Sequence, residues 1–383
     1  MGKKPIKRIV GLLMCLVLTM SMMTGCGDGS GSDDGDKIKI GVSIWSTTDA
    51  LGVQCKKVLD HAAHLLGDVE LEYIVQGHVS EKVTSSVQAL INEGCKGVIV
   101  CNSADNEMSS IIRSCNESGV YAAQFFRVIS EQESGDLYQM GTDSKYFIGA
   151  VHENEIENGE KLGNILLEKG CRKLGIVGWE QGDSTWIKRW EGYRNAVNQW
   201  NASHENDEAV LFEPQYAGTT VEGGEKVAKS LMEKYSDLDA LIAAGGGGDP
   251  FEGVLNAVEA AKKIDSIRVV STDFRDDLES RLEQGSIAAE SGGHYCDPLF
   301  AFFLVYNAIK GDNSYIEGNF NEIHFPYLYV FSPQTYADYE KLFVKQFPYS
   351  DEEIKAMAGK SFDELKNMAE TLSIEDAKNR LGK

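Results

Sequence analysis

The sequence predicts an α/β protein built from two similar doubly wound lobes. From residue 37 onward, apolar stretches of strand length alternate with amphipathic stretches of helix length. Residues 97–101 (Gly-Val-Ile-Val-Cys) are almost entirely apolar, which is typical of a strand buried on both faces of a parallel sheet. The alternation restarts after about residue 146, so the chain contains two halves of the same kind.

The first half predicts four strands separated by three helices. The strands are expected at residues 38–44, 69–75, 97–101 and 120–126, and the helices at residues 50–66, 80–93 and 106–118. Connections of this length between parallel strands form right-handed crossovers, so these strands should form a parallel sheet with helices on both faces.

The second half begins with a predicted helix at residues 146–169. Strands at residues 173–178, 209–214, 238–244 and 268–271 then alternate with helices at residues 186–200, 220–235 and 250–263. Open α/β sheets bind ligands at the carboxyl ends of their strands, so two facing lobes would share one ligand cleft.

A different pattern follows Pro333. Ser350, Ser361 and Ser373 each precede an acidic residue by three positions, which is the capping pattern of a helix N-terminus. We expect residues 336–383 to form a helical C-terminal appendage with a structural role.

The N-terminal segment has the features of a secretory signal. Four basic residues precede a short apolar run at residues 9–20, which is too short for a comfortable permanent membrane span. Residues 23–26 (Met-Thr-Gly-Cys) resemble the lipobox of bacterial lipoproteins, which implies that Cys26 is diacylated. We therefore expect a lipoprotein signal peptide at residues 1–25, and the lipidated cysteine with a flexible acidic tether at residues 26–37. The alternative is an ordinary signal peptide in which Cys26 is incidental.

The charge of the remaining chain excludes one class of partner. Beyond the signal, 33 Lys and Arg stand against 59 Asp and Glu, a net charge of −26. Such a chain repels phosphate groups, so nucleic acid is not expected as a partner.

Other residue patterns argue against metal and catalysis. Six cysteines remain beyond Cys26, and none lies in a CxxC pair or at a zinc-ligand spacing, so no metal site is expected. Buried free thiols are favoured, although disulfides are possible in an exported protein. The glycines at residues 245–248 lack the ending of a phosphate-binding loop, and the sequence has no serine-hydrolase or zinc-protease motif. We expect neither enzyme activity nor a cofactor.

Several short motifs occur in an order that is informative as a series. They are residues 40–42 (Ile-Gly-Val), 97–105, 140–149, 189–193 (Arg-Trp-Glu-Gly-Tyr) and 269–274. In this order they resemble the type I periplasmic binding proteins of the ribose and galactose type, the receptors of ABC sugar importers. Each motif alone is weak, whereas the ordered series covers nearly the whole chain from residue 37 to Pro333.

The resemblance implies a hinge in which the chain crosses between the lobes three times. We place these crossings near Met140, Gly292 and Phe325. One lobe would comprise residues 38–140 with 294–323, and the other residues 141–293 with 324–335. Such a hinge allows the lobes to close on a ligand.

Two charged residues match sugar-binding positions of the resembling receptors. Arg127 matches an arginine that contacts sugar hydroxyls, although it could be a surface cation at a strand end. Asp273 matches a sugar-binding aspartate, although it could cap the helical segment that starts near Asp276. Charged groups of this kind form bidentate hydrogen bonds with ring hydroxyls.

The other candidates are aromatic residues near strand ends and polar residues beside the crossings. Aromatic rings pack either on the apolar faces of sugars or in the protein core. Tyr295 is a further aromatic candidate for the cleft. Arg189 could contact the ligand or form a structural ion pair, and His294 could be a hydrogen-bonded structural residue. The complete candidate set is Trp45, Asp49, Phe126, Arg127, Trp186, Arg189, Tyr216, Asp249, Asp273 and His294.

Two departures from the family pattern predict a less polar pocket. Phe126 replaces an aspartate of the ribose type, and Asp249 is displaced by one position after the glycine run. The ligand could therefore be a monosaccharide, a modified sugar or a molecule that is not a sugar.

The resemblance and the signal together predict a function. We expect a monomeric solute-binding protein, lipid-anchored at the outer face of a bacterial cell membrane, that captures a small polar ligand and delivers it to an ABC transporter permease. The alternative is a sensory accessory protein for a histidine kinase or a chemoreceptor.

Overall fold

The computed structural model describes residues 37–179, 181–182, 184–245, 249–311 and 320–382, apart from the side chains of residues 132–134, 184 and 249. The predicted signal peptide, Cys26 and nearly all of the predicted tether lie outside the described residues. None of the described helices is both long enough and apolar enough to cross a membrane.

The strands and helices alternate along most of the chain. The strands are β1 (Ile38–Ile44), β2 (Val69–Val75), β3 (Gly97–Val100), β4 (Tyr121–Phe125), β5 (Phe147–Glu153), β6 (Lys173–Gly178), β7 (Val210–Leu211), β8 (Gln215–Tyr216), β9 (Ala240–Ala243), β10 (Arg268–Thr272), β11 (Ala289–Gly292), β12 (Asn321–Phe325) and β13 (Leu328–Val330). The helices are α1 (Ala50–Leu66), α2 (Ser80–Asn92), α3 (Asp105–Ser118), α4 (Glu131–Thr142), α5 (Glu155–Glu168), α6 (Ser184–Ser203), α7 (Val221–Lys234), α8 (Asp249–Ala260), α9 (Leu278–Gln284), α10 (Asp297–Ile309), α11 (Pro333–Tyr339), α12 (Asp351–Met357), α13 (Phe362–Glu370) and α14 (Ile374–Leu381), with a π-helical turn at Glu340–Val344.

The strands form two sheets, one in each lobe. The first sheet has the order β12-β5-β4-β3-β1-β2, and all of its pairs are parallel. The second has the order β13-β11-β10-β9-β6-β7, with β8 also paired to β6, and only β13 is antiparallel to its neighbour. Buried apolar side chains lie between each sheet and its helices. The predicted α/β class with two doubly wound lobes is confirmed.

The first crossing lies later in the chain than the sequence predicted. Residues 147–153 (Phe-Ile-Gly-Ala-Val-His-Glu) were expected to begin a helix, but they form β5 in the first sheet, and every one of them is buried. The Asn154 side chain then caps α5. A short apolar run fits a buried strand or a buried helix equally well, which is why its periodicity was misleading. The chain therefore leaves the first lobe after Glu153, not near Met140.

The chain crosses twice more. It returns between Gly292, at the end of β11, and Asp297, where α10 begins beneath the first sheet. It leaves again between Phe325 and Leu328, which end β12 and begin β13 on different sheets.

The C-terminal helices are part of the core and not a separate appendage. Leu342, Phe343, Ile354, Met357 and Leu365 are buried in the same apolar cluster as strands and helices of both lobes. The helices α12 and α13 pack on α1, α10 and β12, whereas α11 packs on α9 and β13. This segment thus contacts elements of both lobes.

The cysteines within the described residues are buried free thiols. These are Cys55, Cys95, Cys101, Cys115, Cys171 and Cys296. Burial raises the pKa of Cys101 and Cys115 to about 12, so both thiols stay protonated and unreactive at neutral pH.

Candidate functional site

Five of the ten predicted site residues lie just after the ends of strands. Trp45 follows β1, Phe126 and Arg127 follow β4, Asp273 follows β10 and His294 follows β11. Because the strands of each sheet are parallel, their carboxyl ends lie at one edge, and the chain crossings bring the two edges together. These side chains lie together beside the chain crossings, where they form a candidate ligand site.

Four aromatic rings form a continuous row across this site. The ring centroids of Trp45 and Phe126 are 5.5 Å apart, those of Phe126 and His294 are 5.2 Å apart, and those of His294 and Tyr327 are 4.7 Å apart. Tyr327 lies in the third crossing and was not predicted. Phe126 has a φ of 58°, which is unusual for a bulky residue and indicates that the surrounding packing holds it in place.

Asp49 holds the first ring of this row in position. Its Oδ2 accepts a hydrogen bond from the Trp45 indole nitrogen at 2.9 Å, and its Oδ1 accepts one from the Gly52 amide at 2.8 Å as the cap of α1. His78, which the sequence did not suggest, stacks on Trp45 with the ring planes 6° apart. Both oxygens of Asp49 are thus engaged by the protein, so it acts as a positioning residue.

Arg189 forms a structural ion pair, which is the second of its two predicted roles. Its guanidinium forms a buried ion pair with Glu155 and donates a hydrogen bond to the Tyr327 hydroxyl at 2.9 Å. The Tyr327 hydroxyl in turn donates to Glu155 Oε1 at 3.0 Å. The guanidinium also lies 4.8 Å from the centre of the buried Trp186 ring. Arg189 therefore links the first crossing, α6 and the third crossing.

Two carboxyl groups are buried beneath the aromatic row. Burial, followed by the charge of Glu155, raises the pKa of Glu153 to about 8. Burial also raises the pKa of Asp297, and the neighbouring Glu153 adds to that effect. Asp297 Oδ1 accepts a hydrogen bond from the Phe126 amide at 3.2 Å. The two carboxyl groups are hydrogen-bonded to each other, so the pair holds at least one proton.

His294 is a neutral, buried imidazole at the second crossing. Burial lowers its pKa to about 3, and the positive charges of Arg189 and Arg127 act in the same direction. Its Nε2 lies 3.6 Å from Asp273 Oδ1, whereas its Nδ1 is buried without a partner among the described residues. This nitrogen can donate to or accept from a bound hydroxyl group.

Arg127 and Asp273 lie beside the aromatic row. Arg127 follows β4 of the first lobe, and Asp273 follows β10 of the second. Arg127 is half-buried, and one of its guanidinium nitrogens donates to the Phe126 carbonyl oxygen at 2.8 Å. Asp273 has a φ of 72°, and its amide donates to the Ser291 carbonyl oxygen at 2.7 Å. The site therefore combines aromatic faces with a cation, an anion and a neutral imidazole, which together suit a small polyhydroxylated ligand.

Two other aromatic candidates fall outside this group. Tyr216 pairs with Trp190 at 5.5 Å within the second lobe. Tyr295 is buried, and its hydroxyl donates to the Phe343 carbonyl oxygen, so it belongs to the core and not to the cleft. The side chain of Asp249 lies outside the described residues.

An open cavity of about 810 Å³ lies where the third crossing meets the C-terminal helices, and Tyr327 of the aromatic row is among its lining residues. Polar and charged side chains such as Glu157 and Glu370 line it together with apolar and aromatic ones such as Tyr329 and Ile374. The aromatic row with its buried polar atoms is the better candidate for a ligand site, because ligand sites are mostly apolar with a few convergent polar groups.

A comparison of the sequence with known families decides the classification. The family described as "Periplasmic binding protein domain" matches residues 40–292, which is most of the chain. The chain belongs to this family. Membership places the chain among extracytoplasmic binding proteins, as the resemblance implied. No curated protein matched the sequence.

Solved structures share the fold at low sequence identity. A solute-binding protein of an ABC transporter from Bacillus halodurans, with bound myo-inositol, has a TM-score of 0.64 at 18% identity over 81% of this chain and 99% of that one. One from Actinobacillus succinogenes, with bound D-allose, has a TM-score of 0.65 at 13% identity over 79% and 100%. The binding protein of an arabinose ABC transporter from Shewanella, bound to L-arabinofuranose, has a TM-score of 0.64 at 16% identity over 84% and 98%.

Proposed function

We propose that this periplasmic binding protein captures a monosaccharide or a closely related polyol outside the cytoplasm and delivers it to an ABC transporter permease. The ligand would lie against the rings of Trp45, Phe126 and Tyr327, between Arg127 and Asp273. The lobes would close on it about the three crossings.

The observation that carries the proposal is the set of buried polar atoms beside the aromatic row. His294 Nδ1 has no hydrogen-bond partner among the described residues, and the buried carboxyl groups of Glu153 and Asp297 are hydrogen-bonded to each other. A buried polar atom without a partner costs about 1–3 kcal/mol, so such atoms are uncommon unless a ligand or water pairs with them. Ring hydroxyls both donate and accept hydrogen bonds, and they match a neutral imidazole beside a buried pair of carboxyl groups that share a proton.

The bound molecules of the similar structures support the same ligand class. Myo-inositol, D-allose and L-arabinofuranose are all small, uncharged and polyhydroxylated. The strongly acidic chain also favours a neutral ligand over an anionic one.

A thermal-shift screen of monosaccharides and polyols, followed by calorimetry, tests the proposal. A ligand that binds only the folded state raises the melting temperature, so at least one panel member should do so. The double variant Arg127→Ala with Asp273→Asn should lose binding, and asparagine tolerates the positive φ at position 273. Glu283→Gln, an exposed change on α9, should bind normally. No shift across the panel, or unchanged affinity in the double variant, would refute the proposed site.

We also propose that Cys26 carries the lipid that holds the protein at the cell surface. Two acyl chains anchor a protein stably, whereas one chain of myristoyl length does so only marginally. Cys26→Ser should release the protein into the medium of the expressing cell, as cell fractionation would show. Retention of the serine variant on the membrane would argue against the lipid anchor.

A further inference from the structure

Two histidines and a glutamate come together where β5 and β12 approach the hinge. His152 and His324 are directly opposite each other in the parallel register of these strands, and Glu322 lies two residues before His324 on the same face. His152 Nε2 is 2.6 Å from Glu322 Oε1, and His324 Nε2 is 3.8 Å from the same oxygen. The three potential ligand atoms all lie within 4.8 Å of one another. They belong to sequence segments that are far apart, so no local motif reveals them.

The hydrogen bonding of His152 aims its Nε2 at this cluster. Its Nδ1 lies 3.0 Å from the Glu153 carbonyl oxygen, which can only accept, so Nδ1 carries the proton. In a neutral ring, Nε2 is then an acceptor that faces the Glu322 carboxylate, which is also an acceptor. Either a proton on Nε2, which makes the contact a salt bridge, or a metal cation bound by both groups removes this conflict. Metal-bound histidines commonly have this arrangement, with one nitrogen on a backbone carbonyl and the other on the metal.

Burial and charge also suit a cation. The side chain of His152 is 11% exposed, whereas those of Glu322 and His324 are 37% and 49% exposed, so the cluster is shielded on one side and open to solvent on the other. Nearby, Glu370 accepts a hydrogen bond from the His324 amide, and Lys366 lies 3.5 Å from Glu370. The Lys366 ammonium group also donates a hydrogen bond to the Glu322 carbonyl oxygen at 2.9 Å, whereas the Glu322 carboxylate faces the two imidazole rings.

We propose that His152, Glu322 and His324 bind a divalent transition-metal cation of the zinc type, with water in the remaining coordination position. Imidazole nitrogens and a carboxylate oxygen at about 2.0–2.2 Å are suitable zinc ligands. The observed distances require shifts of less than about 1 Å to reach such a geometry. The bound ion ties together the two strands that lead into the first and third crossings. Its role is structural, and it does not depend on the identity of the solute in the cleft.

Zinc binding by the purified protein, after treatment with a chelator, tests the proposal in the absence of sugar. Equilibrium dialysis with elemental analysis should give one zinc ion per chain, and cobalt substitution should give the visible absorption of a protein-bound ion. His324→Ala and Glu322→Gln should each weaken zinc binding at least ~10-fold. Both side chains are substantially exposed, so these variants should retain the circular dichroism of the parent protein.

His64→Ala is the matched control, because His64 is an exposed histidine on α1 outside the cluster. Its zinc affinity should equal that of the unmodified protein. The proposal is overturned if the unmodified protein binds no zinc, or if His324→Ala and Glu322→Gln bind it as tightly as His64→Ala does. Sugar binding is measured separately, so failure of this proposal leaves the proposed solute site unaffected.

Discussion

Glu290 illustrates at the residue scale how burial controls ionisation. It lies on β11 with no exposure, accepts a hydrogen bond from the Arg275 amide, and has its other oxygen buried without a partner among the described residues. Burial raises its pKa from 4.5 to about 8. The folded state therefore binds a proton that the unfolded state has lost between these two values, so the contribution of Glu290 to stability is complete below pH 4.5 and declines as the pH rises toward 8.

Glu290→Gln should remove this pH dependence. The glutamine is neutral at every pH, so the variant should gain stability relative to the unmodified protein as the pH rises from 4.5 to about 8. The gain should reach a few kcal/mol, at about 1.4 kcal/mol for each unit of pKa shift. Urea denaturation at a series of pH values measures it, with the exposed Glu283→Gln as the control. A stability difference that stays constant across this pH range would contradict the prediction.

The sequence predicted site residues only where a motif or a strand end marked them. Trp45, Phe126 and Asp273 follow strands whose apolar character was clear, whereas His294 was marked only by its place beside the second crossing. The structure brings the four together. Tyr327 and Asp297 could not be assigned in the same way, because their position depends on where the chain crosses between lobes. The ion pair of Arg189 with Glu155 was one of two open alternatives, since sequence spacing does not show which partner a cation reaches.

At the scale of elements, the network of Arg189, Glu155 and Tyr327 joins α5, α6 and the third crossing. Arg189 and Glu155 are both largely buried. Removal of one member of a buried ion pair leaves an unpaired charge in a poorly solvated position, which costs about 3–5 kcal/mol. Arg189→Ala should therefore lower the free energy of unfolding by about that amount, as measured by urea denaturation.

A double variant separates the loss of the pair from the loss of packing. Arg189→Met with Glu155→Gln removes both charges while keeping most of the side-chain volume, so it should be considerably more stable than Arg189→Ala. A cost below about 1 kcal/mol for Arg189→Ala would place this pair among weak surface contacts and contradict the buried network.

The errors of the sequence prediction also arise at the element scale. The run at residues 147–153 contains no alternation that would distinguish a buried strand from a helix, and its pairing with β12 involves a segment far away in the sequence. The predicted strand at residues 209–214 contains the two-residue strand β7, and a second short strand, β8, follows it at residues 215–216. The two pair with different parts of β6. Local pattern fixes whether an element is apolar, but its partners are set by tertiary packing.

At the scale of the whole molecule, the C-terminal segment belongs to the fold of both lobes. Besides its buried apolar side chains, it is held by Asn307 of α10, which donates to the Met357 and Lys360 carbonyl oxygens and accepts from the Gly359 amide. The Tyr295 hydroxyl, next to the second crossing, donates to the Phe343 carbonyl oxygen. Sequence analysis identified these helices from their caps but not their contacts, because short charged helices carry little information about what they cover.

Deletion of residues 333–383 should therefore prevent folding. Leu342, Phe343, Ile354, Met357 and Leu365 are almost completely buried. Each such side chain contributes about 1.5–3 kcal/mol, so their joint loss is of order 10 kcal/mol and comparable to the total stability of a typical domain.

Deletion of residues 374–383 alone is the graded control, because it removes α14 with one buried alanine and the ion pairs of Arg380. The shorter deletion should lower the melting temperature yet leave a cooperative transition, whereas the longer one should abolish it. A cooperative thermal transition for the longer deletion, at the melting temperature of the intact protein, would show that these helices are the independent appendage that the sequence first suggested.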